Sequence, residues 1–262
     1  MEKKKKNNAS LIIVISALLL IVIGMVFFVY ANRGGTKSNH NAKSSTKSDE
    51  INDLDIHGPF VESIFVKTQS EFNQCGYATQ PLLLENVGDL LTKNNMSDDY
   101  KGLLAFDYVT KNKEISEDEM KKAFEEVFGE NTYQAMNVIN FDALGSINYD
   151  ASSKKYTMTF DPNDSWGCVT HLYNKEKIIT AYKFKDSIQI TTAYVFNGDF
   201  STELFKDAKS TEPLGVSMSI SSEESKVLDY IDQHQDELHH LTYSFDKAEN
   251  GNYYFSSVER TK

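Results

Sequence analysis

From residue 54 onward, apolar positions along the chain fall first into helical spacing and later into strand alternation. Leu54, Ile56, Phe60, Val61, Ile64 and Phe65 outline a short helical face broken by Gly58-Pro59, with Asp55 or His57 at the entrance and Pro59 in the first turn. Ser97 to Thr110 predicts a second helix. Ser97 is its cap, two Asp residues complement the N-terminal dipole, and Tyr100, Leu103, Leu104 and Tyr108 share one face. Leu82 to Lys93 is a further helical candidate, weakened by Gly88.

Ile115 to Gly129 carries the clearest local signals. Ser116 and Glu119 make an S-x-x-E capping box, Ile115 and Met120 a hydrophobic staple. Met120, Ala123, Phe124, Val127 and Phe128 follow the i, i+3, i+4, i+7, i+8 pattern, and Gly129 stops the helix.

Beyond it the period becomes two. Ala143–Asp150 and Lys155–Asp161 read as strands around a turn at 151–154, and Lys177–Phe184 and Ser187–Phe196 as a hairpin turning at Lys185-Asp186. Ile188, Ile190, Thr192, Tyr194 and Phe196 share one face, predicting a half-buried strand. Ser221 to His239 reads as a helix opened by a second box, Ser221-x-x-Glu224, and buried through Val227, Leu228, Ile231 and Leu238. Leu241, Tyr243 and Phe245 then lead through Asn250-Gly251, a hairpin turn signal, to Tyr253, Tyr254 and Phe255. The expected class is α+β: an N-terminal transmembrane helix, a helix-rich first half, and an antiparallel sheet with a packed helix in the second half.

The N-terminal fifty residues break from this pattern. Lys3 to Lys6 make residues 1–10 a basic tail, and Leu11 to Tyr30 contain no charge. Twenty such residues at about 1.5 Å each match the roughly 30 Å core of a bilayer. The lysines stay cytoplasmic by the positive-inside rule, so the rest crosses the membrane: a single-pass anchor with residues 31–262 extracytoplasmic. The alternative is secretion after signal cleavage, for which Val29-Tyr30-Ala31 is a passable site. Residues 31–50, rich in Gly, Ser, Asn and Lys, form a flexible linker with a mean reach of about 25 Å. Residues 51–262 form the folded domain.

Charge follows the same division. The first 50 residues carry net +5 and the remaining 212 carry −16, within a chain total of −11. An acidic body offers no footprint for phosphates, which excludes nucleic acid as a partner. Membrane contact is expected through residues 11–30, and the remaining partner is an envelope component or a membrane protein.

Leu54-Asp55-Ile56, Phe60-Val61, Ile64-Phe65, Val127-Phe128-Gly129, Tyr253-Tyr254-Phe255 and Val258-Glu259 together resemble the scaffold of a group of uncharacterised membrane-anchored extracytoplasmic proteins of low-GC Gram-positive-type bacteria. The resemblance lies in apolar and turn residues across most of the body. It implies location and fold, and no activity.

Candidate chemistry is sparse. Two exported cysteines, Cys75 and Cys168, are first read as a disulfide, with two free thiols as the alternative. Cys168-Val-Thr-His171 is a poor dyad, because residues three apart on a strand face opposite ways. Asp161, Asn163 and the residues up to Gly167 place oxygen ligands at alternating positions, but Gly and Glu are missing from the positions an EF-hand needs, which leaves a turn. Trp166, beside Gly167 and Cys168, is either a core residue or a ligand platform. His234 and Glu237, with His239 and His240, are weak metal candidates at the end of the last predicted helix, where histidines also complement the helix dipole. H-E-x-x-H, G-x-S-x-G, S-x-x-K and P-loop signatures are absent, and no cofactor is expected. The function expected is a non-catalytic binding or interaction module; the alternative is an envelope hydrolase or transferase whose residues converge only in the fold.

Overall fold

The computed structural model describes residues 51–69, 84, 88, 90–109, 114–140, 145–160, 173–198 and 201–262. The body, Asp49–Lys262, forms one compact unit. It is α+β, and every strand pairing among the described residues is antiparallel.

The elements among the described residues, in chain order, are β1 Asn52–Asp53, α1 Pro59–Phe65, β2 Leu90–Thr92, α2 Asp98–Val109, β3 Glu114–Ser116, α3 Glu117–Phe128, β4 Val138–Asn140, β5 Gly145–Asp150, β6 Lys155–Phe160, β7 Asn174–Lys183, β8 Ser187–Asn197, β9 Glu203–Phe205, β10 Pro213–Ser217, α4 Glu224–His234, β11 His239–Lys247 and β12 Tyr253–Arg260. The large sheet runs β1-β7-β8-β11-β12-β2, with β9 and β10 extending it beside the end of β8. A second sheet, β3-β6-β5-β4, is present in addition to the one antiparallel sheet expected.

The predicted helices form where local signals agree. Pro59 occupies the first turn of α1, although the cap is Gly58 and Asp55 instead accepts from the His57 amide at 3.0 Å. Ser97 caps α2, its hydroxyl accepting from the Tyr100 amide at 3.2 Å. At α3 both halves of the box form: the Ser116 hydroxyl accepts from the Glu119 amide (3.3 Å) and the Glu119 carboxylate accepts from the Ser116 amide (2.8 Å).

Two of the helix expectations fail. Residues 90–92 are a strand, although the helical spacing of Leu82–Lys93 included them; Leu91 pairs with Val258 and is buried at the sheet edge. The last helix starts at Glu224 and ends at His234, so Ser221 does not cap it. The amide of Ser222 donates to the Ser219 hydroxyl and the amide of Ser219 to the Glu223 carboxylate, holding residues 219–222 in a separate turn. A 3-10 turn at Gln235–Glu237 follows α4, and His239 and His240 already belong to β11.

One face of the large sheet carries the main core. Ile188, Ile190, Tyr194 and Phe196 from β8 meet Leu241, Tyr243 and Phe245 from β11 under α1, α2 and α3. Phe128 of α3 sets its ring edge-on against Phe255 of β12 at 6.2 Å, while Phe124 reaches Tyr133, whose hydroxyl meets that of Tyr156 in the second sheet at 2.8 Å. A fully buried Leu, Ile or Phe side chain in this core contributes about 1.5–3 kcal/mol. The opposite face is covered by α4, with Val227 and Ile231 on Ala193, Val195 and Leu204. Because α4 closes that side, β8 is buried on both faces from Thr192 onward rather than half-buried. Lys175 and Lys177 of β7 pair with Glu224 and Asp232 of α4.

Candidate functional site

Two constellations of polar groups stand out: one inside the main core and one at the end of the β11–β12 hairpin.

Cross-strand register builds the inner one. Glu176 of β7 lies opposite Tyr194 of β8, and Tyr243 of β11 lies opposite Ile190, so all four residues face the main core. Glu176 Oε1 accepts from the Thr192 hydroxyl at 2.6 Å and the Tyr243 hydroxyl at 2.5 Å. Burial pushes the Glu176 carboxyl above the ordinary range, against hydrogen bonds from Thr192, Tyr243 and Gln69 that pull it down. Burial, then the Glu176 charge, raises the Tyr243 phenol. Tyr100 of α2 is raised by burial first, then by Asp107 and Glu176. A carboxyl so placed holds a proton readily. Its partners, however, are core side chains: Tyr243 and Thr192 are fully buried, and Phe65 packs edge-on over the Tyr243 ring at 5.2 Å.

The outer constellation is an open depression of about 710 Å³. Three separate segments wall it. The first is the turn after β11, where Gly251 takes a positive φ of 85°, its amide donates to the Ala248 carbonyl at 2.9 Å, and the Asn252 amide donates to the Asn250 side chain at 2.9 Å. The second follows α3: Gly129, also at positive φ (108°), turns the chain, and the Thr132 hydroxyl caps the Gly129 carbonyl at 2.5 Å. The third is Lys93, tied by its amide to the Ser256 carbonyl at 3.0 Å. Asn250 joins the first two walls, its side-chain amide donating to Glu130 Oε1 at 2.8 Å and to the Tyr254 hydroxyl at 2.9 Å. Lys93, Lys247, Glu130, Asp246 and Glu249 place two cations and three anions around this one depression. Among the described residues none of the five enters an ion pair, whereas Lys155, Lys175, Lys177 and Lys226 each take an acidic partner elsewhere.

Of the residues singled out in the sequence, His234 and Glu237 do approach one another, Nδ1 to Oε1 at 3.6 Å, with the His234 ring stacked on Tyr230 at 4.3 Å. His239 and His240 do not join them. Their strand carries His239 to Glu212 (3.5 Å) and Tyr194, while His240 meets the Gln235 carbonyl at 2.7 Å. Among the described residues no group of three or more His, Cys, Asp or Glu is placed to hold a metal ion. Cys75, Cys168, His171, Asp161, Asn163 and Trp166 lie outside the described residues, as do residues 11–30. Among the described residues no helix is long and apolar enough to cross a membrane.

Neither constellation was read from the sequence. Glu176 fell one residue before the strand predicted from Lys177, and its inward face follows only from its register with Tyr194. Lys93 meets Glu130 across 37 positions of chain and Asn250 across 157, and among the lining residues the Asn250-Gly251 turn and the Gly129 helix stop carry local signals. No known family, curated protein or solved structure matches the chain.

Proposed function

We propose that this protein is a membrane-anchored extracytoplasmic binding or interaction module, non-catalytic, with its ligand site in the depression at the β11–β12 turn. Residues 11–30 are the transmembrane helix, entered from a cytoplasmic basic tail, and residues 31–50 are the tether that lets the body sample its surroundings. The resemblance to membrane-anchored extracytoplasmic proteins of Gram-positive-type bacteria agrees with that placement. The observation that carries the reading is the gathering of five charged groups, outside any ion pair among the described residues, around an open depression. Its volume lies within the roughly 300–1,000 Å³ of ordinary ligand sites.

The second reading, an envelope hydrolase or transferase, draws on Glu176 alone. A carboxyl with raised pKa is what a general acid needs. It would require substrate to reach a group whose neighbours Tyr243 and Thr192 are fully buried.

Thermal unfolding of the full chain in detergent micelles, against peptidoglycan fragments, envelope glycans, calcium and zinc, separates the readings. A saturable rise in midpoint with an envelope fragment, lost in Lys247→Ala and kept in Glu176→Gln, is the expected result. A rise lost in Glu176→Gln and kept in Lys247→Ala, or no rise with any probe, would overturn it.

A further inference from the structure

We infer that the depression at the β11–β12 turn takes a peptide segment bearing both a free ammonium and a free carboxylate, an inference that rests on the reading of that depression as the ligand site. Both signs of charge line it, Lys93 and Lys247 against Glu130, Asp246 and Glu249, and no ion pair among the described residues neutralises them. A ligand of one sign would leave the opposite set facing it. A zwitterion can satisfy both, with the lysines on its carboxylate and the acids on its ammonium. The side-chain amide of Asn250 in this ring is already bound to Glu130 and Tyr254, so it fixes the wall rather than the ligand.

The aromatic side chains argue against a neutral glycan. Sugars are gripped by exposed aromatic faces, and among the described residues this site presents none: Phe128 is 2% exposed and Tyr254 8%. The Tyr254 ring has the Lys67 ammonium 5.4 Å from its centre and lies beside Gly129, where an added Cβ would meet it at 3.6 Å, an ordinary van der Waals distance. Recognition here must therefore come from charge and the polar rim.

The test uses the full chain in detergent micelles and four probes: alanyl-alanine, its N-acetyl form, its C-terminal amide, and N-acetylglucosamine. Titration calorimetry should show saturable binding of alanyl-alanine, with each blocked form weaker by about tenfold. Lys247→Ala should erase the difference between acid and amide, and Asp246→Asn with Glu249→Gln the difference between free and acetylated amine. These side chains are exposed, so the substitutions leave the fold intact. Equal binding of free and blocked peptides, or binding of the sugar alone, would overturn the zwitterion assignment while leaving the depression as the ligand site. No binding by any probe, with the backbone resonances of residues 246–250 unmoved, would overturn the site as well.

Discussion

The ammonium of Lys67 donates to the main-chain carbonyl of Glu126 at 2.8 Å, so a buried cation closes the C-terminal end of α3 from 59 positions away. The last turn of α3 has no basic residue of its own, and its final carbonyls lack helical partners. Lys67 supplies the missing charge, and a second bond to the Tyr253 carbonyl at 3.1 Å ties the same atom to β12. Burial pulls its pKa down, offset in part by the Glu126 carboxylate. Lys67→Met would leave two carbonyls without their donor and should cost about 1–3 kcal/mol in urea unfolding. Unchanged stability would mean that water replaces the ammonium at no loss.

Glu176 predicts a pH dependence with a definite sign. Its folded pKa is raised, so the native state binds the proton more tightly than the unfolded chain. The associated stabilisation is complete below the ordinary carboxylate pKa of about 4.3 and is lost as pH rises through the folded value. Glu176→Gln keeps an acceptor for Tyr243 and Thr192 without the charge. Melting midpoints from pH 4 to 8 should show the variant gaining on the native protein as pH rises. A deficit that grows toward pH 8 would show that the ionised carboxylate is stabilised in place.

The two S-x-x-E patterns make a paired prediction. Ser116→Ala removes a formed cap and should cost about 1 kcal/mol. Ser221→Ala should stay within about 0.5 kcal/mol, because α4 begins three residues later. Chemical unfolding of both variants checks them together, and equal losses would contradict the observed start of α4.

That contrast also marks where sequence reasoning succeeds. The box at Ser116 sits directly before an apolar stripe with a staple, so local and tertiary preferences agree. At Ser221 the neighbouring Ser219 hydroxyl and Glu223 carboxylate accept instead from the Ser222 and Ser219 amides, and the turn so formed is held by the Asn197 side chain, which accepts from the Ile220 amide at 2.8 Å. Leu90–Thr92 became a strand because β12 offered an edge with Val258 opposite Leu91, which no window around Leu91 contains. Strand alternation located Ile188 to Phe196, but only α4 on the far face explains why Ala193 and Val195 are buried too. The candidate site was less legible still. Charge periodicity cannot show that Lys93, Glu130 and Lys247 surround one depression, since their proximity is set by sheet order and by the exit of α3.

Gly102 tests the packing between α2 and the second sheet. A Cβ there would stand 2.7 Å from Cδ1 and 2.9 Å from Cγ1 of Ile139, which is fully buried in β4. Alanine favours a helix over glycine by about 1 kcal/mol, and overpacking a filled core costs about 1–3 kcal/mol. Gly102→Val, which adds bulk without alanine's helix preference, should therefore destabilise clearly, and Ile139→Ala in the same chain should recover part of the loss. A double-mutant cycle in urea measures the coupling. Additive losses would mean that the two positions do not press on one another.

The proposed location carries its own test through the cysteines. If the body is exported, Cys75 and Cys168 enter an oxidising compartment, and a bridge between them would close a loop of about 90 residues. Such a closure stabilises by some 2–4 kcal/mol, chiefly by restricting the unfolded chain. Native material should migrate faster on non-reducing than on reducing electrophoresis, and Cys75→Ser should abolish the difference and lower the melting midpoint. A topology reporter fused after Lys262 should be active only outside the cytoplasm. The two results are linked by redox environment but fail separately. A cytoplasmic reporter signal overturns the orientation set by Lys3 to Lys6, whereas an extracytoplasmic reporter with no mobility shift leaves the anchor standing and makes both cysteines free thiols.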